Sequence, residues 1–173
     1  LVFSKGFLKS SRQLCLSTIR SAGRLKSIDY GGVNNYTQFS YDGLWRNTKI
    51  IETTAGSVTS TKQFVFCSDK MRKHRPCEER DASGTVTCKF FNRGEIVGGT
   101  TYFYSRNHLR SVSDLTNSGG TVVTQLAYDS FGRGTVVNGS IRPNFEFASY
   151  YIHQRSGLNL TLTRAYNAAL GRF

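Results

Sequence analysis

The chain has 173 residues, 38% of them hydrophobic, which is enough for one domain with a real core and too little for two. Its 23 Lys and Arg against 11 Asp and Glu leave a formal charge of +12, a field that attracts polyanions without naming which. No stretch approaches the roughly 20 consecutive apolar residues that a membrane-spanning helix needs.

Aromatic residues are frequent, with 12 Phe and 9 Tyr, and Pro is scarce at 2, so an all-β chain of pleated, half-buried surfaces is expected. Residues 1–28 hold Lys5, Lys9, Arg12, Arg20, Arg24 and Lys26, with no acid before Asp29. Their longest apolar run, Leu14-Cys15-Leu16, is too short for a signal-peptide core, and the segment reads as a poorly ordered basic tail.

From Asp29 onward the pattern becomes short alternating runs separated by Gly, Asn and Asp, as in successive β-hairpins. Ala55-Gly56-Ser57, Ala82-Ser83-Gly84-Thr85 and Asn117-Ser118-Gly119-Gly120-Thr121 are each followed by Val, at Val58, Val86 and Val122, an imperfect internal repeat of turn and strand. The basic stretch 70–80 interrupts the strands and is expected as an exposed loop. Residues 86–90, 101–104 and 122–128 read as strands, the last buried on both faces because both carry apolar residues. In 158–163 the leucines share one face, and the polar face is expected to be wet.

Cysteines stand at 15, 67, 77 and 88. Cys67, His74, Cys77 and Cys88 could supply four zinc ligands, but their gaps are irregular where zinc sites use close pairs. A Cys77–Cys88 or Cys67–Cys88 disulfide is the next reading, and packed free thiols the preferred one.

Two segments carry one signature: Tyr41-Asp42-Gly43 followed by Arg46, and Tyr128-Asp129 followed by Gly132-Arg133. The aromatic can pack on a sheet, Asp can accept from the backbone of the turn it opens, and Gly can supply the left-handed residue. This resembles the YD repeat of RHS proteins. The stretch from Tyr104 to Gly120, with His108, Leu109, Ser111 and Val112, resembles the family's D-H-L-G-S-V-R-x-L-T-D-x-x-G. Phe145-Glu146-Phe147-Ala148, then Tyr150-Tyr151 with Gly157-Leu158, and finally Arg164-Ala165-Tyr166-Asn167 with Gly171-Arg172-Phe173 resemble F-x-F-A/T-G, Y-Y-x-x-x-S/T-G-L and R-x-Y-D-P-x-L-G-R-F in the same order.

The resemblance is firm over 101–173, the repeat-associated core, and moderate over 36–100, so the chain divides into a tail at 1–28, hairpins at 29–100 and a core region at 101–173. It implies consecutive antiparallel hairpins forming a curved strip of a β-shell that holds a C-terminal toxin or effector. Partners would be the remainder of the shell, the toxin and its immunity protein, or polyanionic cell-surface material, with a secreted or cell-surface location. No catalytic residue, metal, cofactor or small-molecule substrate is expected. In many members two aspartates release the cargo by self-cleavage; here the first is Asn167, whose amide cannot titrate, and the second motif does not occur by Phe173. Arg110 replaces a Gly of the pattern and is costly if that position needs positive φ.

Rival readings are a carbohydrate-binding segment at a cell surface and a basic nucleic-acid module stacking bases on Tyr and Phe. His108, Ser111 and Asp114 are close in sequence, but a hydrolase triad is disfavoured because the family motif already accounts for His108. His153 is expected as a structural histidine.

Overall fold

A computed structural model describes residues 16–19, 24–67, 75–162 and 164–173. Twelve strands pair in chain order into one antiparallel sheet: β1 (Leu16–Ile19), β2 (Leu25–Asp29), β3 (Tyr36–Tyr41), β4 (Asn47–Thr54), β5 (Ser57–Val65), β6 (Glu78–Arg80), β7 (Val86–Phe91), β8 (Gly94–Val97), β9 (Thr100–Arg106), β10 (Val112–Asn117), β11 (Val122–Tyr128) and β12 (Gly134–Gly139). A second sheet of three strands follows, β13 (Tyr151–His153), β14 (Leu158–Leu160) and β15 (Ala165–Asn167). No α-helix occurs among the described residues.

The strands form because alternate residues are apolar. In β3, Thr37 and Phe39 are buried while Gln38 and Ser40 face solvent. The same face of the sheet contributes Leu25, Ile28, Ile50, Phe64, Cys88 and Phe90, and Phe145 and Tyr151 of the C-terminal segment complete this core. The C-terminal segment lies against that face. Its rings meet the sheet's rings edge-on: Tyr151 against Phe64 at 5.0 Å, Phe145 against Phe90 at 5.1 Å, and His153 against Phe39 at 5.4 Å between centroids. Such pairs contribute about 0.5–1.5 kcal/mol each beyond burial.

Several expectations are corrected. Residues 16–19 and 25–28 of the expected tail lie in strands β1 and β2, which pair into the sheet and bury Leu25 and Ile28 in the core; residues 1–15 and 20–23 lie outside the described part. The 100/101 division falls inside the β8–β9 hairpin, and the change of sheet comes after β12. Within the stretch expected as a loop, Glu78–Arg80 is β6, paired on both sides, with Glu79 buried; residues 68–74 are outside the described part.

Strand β11 buries only Thr124 and Leu126, since its other face, with Gln125 and Ala127, has no layer over it. In β14 the polar face is the dry one. Asn159 is 2% exposed, while Leu158 and Leu160, on the opposite face of the strand, are half-buried against the core. A disulfide joins Cys67 to Cys77, and Cys88 is a buried free thiol. Cys67 ends the run after β5 and Cys77 precedes β6, so the hairpin brings them together, whereas Cys88 points into the core from β7.

Candidate functional site

Five turns have one geometry, at 42–46, 81–85, 107–111, 117–121 and 129–133. In each, the first residue's N–H donates to the fifth carbonyl and the fourth residue's N–H donates back to the first carbonyl, at 2.9–3.2 Å. The opening side chain, Asp42, Asp81, Asn107, Asn117 or Asp129, accepts through one oxygen from the third and fifth N–H groups at 2.9–3.0 Å. All the turn's inward backbone donors are thereby satisfied. Asn serves as well as Asp because only one accepting oxygen is used, so Asn107 makes the same turn as Asp42, Asp81 and Asp129.

The fourth residue is left-handed in every case: Trp45 at φ 72°, Gly84 at 87°, Arg110 at 64°, Gly120 at 84° and Gly132 at 83°. Gly43 does not supply it, which corrects the expectation for the first repeat; it stands second in the turn, and the fourth residue, Trp45, takes the strain. Asp42 is further gripped by Arg46, whose guanidinium lies 2.7 Å away. Burial works against the charge on Asp42, but the Arg46 and Leu44 donors outweigh it and hold the carboxyl below its ordinary value.

The tyrosine before the aspartate does the same work in both repeats. Tyr41 donates its hydroxyl to the Leu25 carbonyl at 2.8 Å and Tyr128 to the Val112 carbonyl at 2.7 Å, each reaching 16 residues back. Burial raises the pKa of both phenols, keeping them protonated and able to donate.

The remaining motif residues divide. Val112, Tyr128, Gly132, Tyr166, Gly171 and Phe173 converge around Phe147 and Phe131. Tyr166 stacks on Phe147 at 5.8 Å, meets Phe173 at 5.1 Å, and donates to the Phe131 carbonyl at 2.7 Å. A Cβ at Gly132 would lie 2.4 Å from the Phe147 ring, and one at Gly171 2.9 Å from the Phe131 ring. Ser111 is buried and accepts from the Ala148 N–H at 3.0 Å. Tyr41, Asp42 and Gly43 lie apart from this knot. His108, Leu109, Asp129 and Arg133 are exposed turn residues. Gly157, at φ 69°, turns β13 into β14, which Leu158 opens; Arg164 lies 5.9 Å from the Phe173 ring and Arg172 bridges to Asn167.

No triad forms from the neighbouring trio: His108 is exposed, Ser111 bonds Ala148, and Asp114 accepts from Ser113 at 2.8 Å. Asn167 opens a further turn, accepting from the Ala169 N–H at 3.0 Å. His74 lies outside the described residues, and among those described no group of three or more His, Cys, Asp or Glu is placed to hold a metal ion.

Between the two sheets runs a line of polar contacts that the local sequence does not announce, since its partners stand 101, 72 and 49 positions apart. His153 lies 3.1 Å from Glu52 through Nε2 and 2.7 Å from Ser156 through Nδ1. The hydrogen bond from His153 holds the Glu52 carboxyl below its ordinary value against partial burial, aided by Arg155 and Lys62. Tyr151 donates to Glu79 at 2.9 Å, and Lys62 lies 3.4 Å from the same carboxylate. Asn144 donates to Glu95 at 2.9 Å. Burial pushes the Glu95 carboxyl up, more than the Asn144 and Tyr104 hydrogen bonds lower it. Cys88, beside Glu79 and Glu95, is pushed up to about 11, chiefly by burial. Tyr151, His153 and Asn144 thus each engage a carboxylate of the sheet, an arrangement suited to fixing the register of the C-terminal layer on it.

Neither a protein-family model nor a curated protein matches the chain. Solved structures do match. Two crystal structures containing TcdB2 and TccC3 superpose with TM-scores of 0.68 and 0.65 at 12% and 13% identity, each over 91% of this chain and 9% of theirs. A Tc holotoxin pore of Photorhabdus luminescens gives a TM-score of 0.64 at 12% identity, over 89% of this chain and 8% of that one. The chain thus spans less than a tenth of the proteins it resembles, and its fold is that of an RHS-like β-shell.

Proposed function

We propose that this chain is a non-catalytic structural segment of an RHS-type shell that encapsulates and presents a C-terminal toxin or effector. The observation that carries this reading is the superposition of 91% of the chain on 9% of a far larger shell chain. A meander in which every strand pairs with its sequence neighbour is a strip of wall, extendable at its strand edges, and five copies of one turn repeat it. The C-terminal layer, held by buried polar pairs, is the inward covering of that wall.

Asn167 supports the non-catalytic half of the reading. At the position where the resemblance places a cleaving aspartate stands an amide that neither takes nor gives a proton, already engaged in its own turn. Two experiments test the proposal. Mass spectrometry of the purified chain, incubated without protease, should find it intact, and Asn167→Asp alone should leave it intact because a lone carboxylate has no partner with which to share a proton; a processed fragment from the unaltered chain overturns it. Electron microscopy of the complete gene product should show a hollow β-wall around a separate domain, and a solid particle would argue against the shell.

A further inference from the structure

Where β7, β9 and the β9–β10 turn meet the C-terminal layer lies a cavity of about 440 Å³, bounded by Arg75, Arg106, Arg110, Tyr104, Phe91 and Ser149. Three guanidinium groups share it. Among the described residues no carboxylate forms an ion pair with any of them, although such pairs are common elsewhere in the chain. Arg106 donates through Nη2 to the Asn92 carbonyl at 2.8 Å, but its Nε is buried with no hydrogen-bond partner. A buried donor left unpaired costs about 1–3 kcal/mol, so a ligand acceptor there would be favoured.

The charges oppose one another. Burial, and then the fields of Arg106 and Arg110, lower the proton affinity of Arg75, and the groups that favour its charged form are the phenols of Tyr104 and Tyr150 rather than an acid. Aromatic rings complete the walls, with Arg75 5.8 Å from the Phe145 centroid and Arg106 5.1 Å from that of Tyr104.

Backbone strain is concentrated at the same place. Arg110 is left-handed at φ 64°, at a turn position that Gly84, Gly120 and Gly132 fill in three of the sister turns. Nothing in the turn itself needs a guanidinium, and glycine would fit without cost. Its carbonyl accepts from Ser149 at 2.6 Å, and Ser149 with Ala148 is also left-handed, at φ 57° and 48°. Strain held by surrounding structure next to an open cavity is the pattern of a binding position.

We propose that this cavity is a site for an oxyanion ligand of two or more negative charges, its oxygens taken by Arg75, Arg106 and Arg110. The bidentate fork of each arginine matches phosphate and carboxylate oxygens alike, so the shared chemistry is a cluster of such oxygens. The site rests on its own residues and not on the shell reading.

Isothermal titration of the full chain at low salt, with inorganic pyrophosphate and separately with citrate, tests it. One saturable site is expected, tighter for pyrophosphate if the natural group is phosphate and tighter for citrate if it is a set of carboxylates. Arg110→Gly should raise the melting temperature and yet weaken binding by roughly tenfold or more, a loss that misfolding cannot explain. Arg106→Gln should weaken it similarly, and Lys89→Gln, exposed on the other face of β7, should not. Absence of saturable binding by either anion, or an equal loss in Lys89→Gln, would overturn the proposal.

Discussion

Arg110 shows how a single φ angle sets a residue's worth. A side chain at φ 64° costs about 1–2 kcal/mol in the left-handed region, of which the greater freedom of an unfolded glycine returns part. Arg110→Gly should therefore stabilise the chain by about 0.5–1 kcal/mol in thermal unfolding. Gly132→Ala should do the opposite. Besides its φ of 83°, its Cβ would meet the Phe147 ring at 2.4 Å, and a loss of about 2–3 kcal/mol is expected on the scale of overpacking and backbone strain together. The turn acceptors give a third contrast. Asp129→Ala removes the acceptor of two backbone N–H groups and should cost about 1 kcal/mol, whereas Asp129→Asn should be nearly neutral, because Asn107 and Asn117 make the same two bonds.

At the scale of elements, the β5–β6 connection and the layer contacts carry separable stability. The Cys67–Cys77 disulfide spans 10 positions, and closing such a loop in the unfolded chain is worth roughly 3 kcal/mol in the chain-entropy account. Reduction, or the Cys67→Ser/Cys77→Ser pair, should lower the urea midpoint accordingly, and Cys88 should resist iodoacetamide until the chain unfolds, its thiol being buried and protonated. Glu52 and Glu95 titrate with opposite sign. Glu52 is held below its ordinary value of 4.5, so its stabilisation is present above that pH and lost as pH falls through the folded value; Glu52→Gln should flatten that acid limb. Glu95 is held above 4.5, so it favours the fold while protonated and opposes it as pH rises. Glu95→Gln should then raise stability at about pH 7 and change little at about pH 4, read from chemical denaturation across that range.

On the scale of the whole molecule, an antiparallel meander is closed along its length and open at its edge. Strand β12 has no partner on its outer edge among the described residues, and Val137 on it and Phe131 in the turn before it are more than 60% exposed. Unpaired N–H and C=O groups beside apolar side chains are templates for another strand. The chain should self-associate at about tens of micromolar, a range in which exposed edges aggregate, and sedimentation should show the association reduced by Val137→Lys. A cooperative monomer at that concentration would contradict the open-edge view.

The strands and their turns were legible because each is written in adjacent residues: period-two alternation gives the pleat, and Asp or Asn four positions before a turn's end gives the backbone acceptor. The resemblance in residues 101–173 reads for the same reason, as short motifs fixed by local geometry, and the shell fold follows from repeating them. What covers the sheet was not legible. Whether Asn159 is wet or dry, and whether β11 is buried on one face or two, depends on what packs over each face, and the seat of the C-terminal layer is decided by pairs such as His153–Glu52 and Tyr151–Glu79, 101 and 72 positions apart. The disulfide partner of Cys77 likewise depended on β6, a strand of 3 residues too short and too charged to show an alternating pattern. Local hydrogen bonding and side-chain alternation are properties of a few consecutive residues and so belong to the sequence; burial is a property of what arrives from far along the chain, and only the tertiary structure sets it.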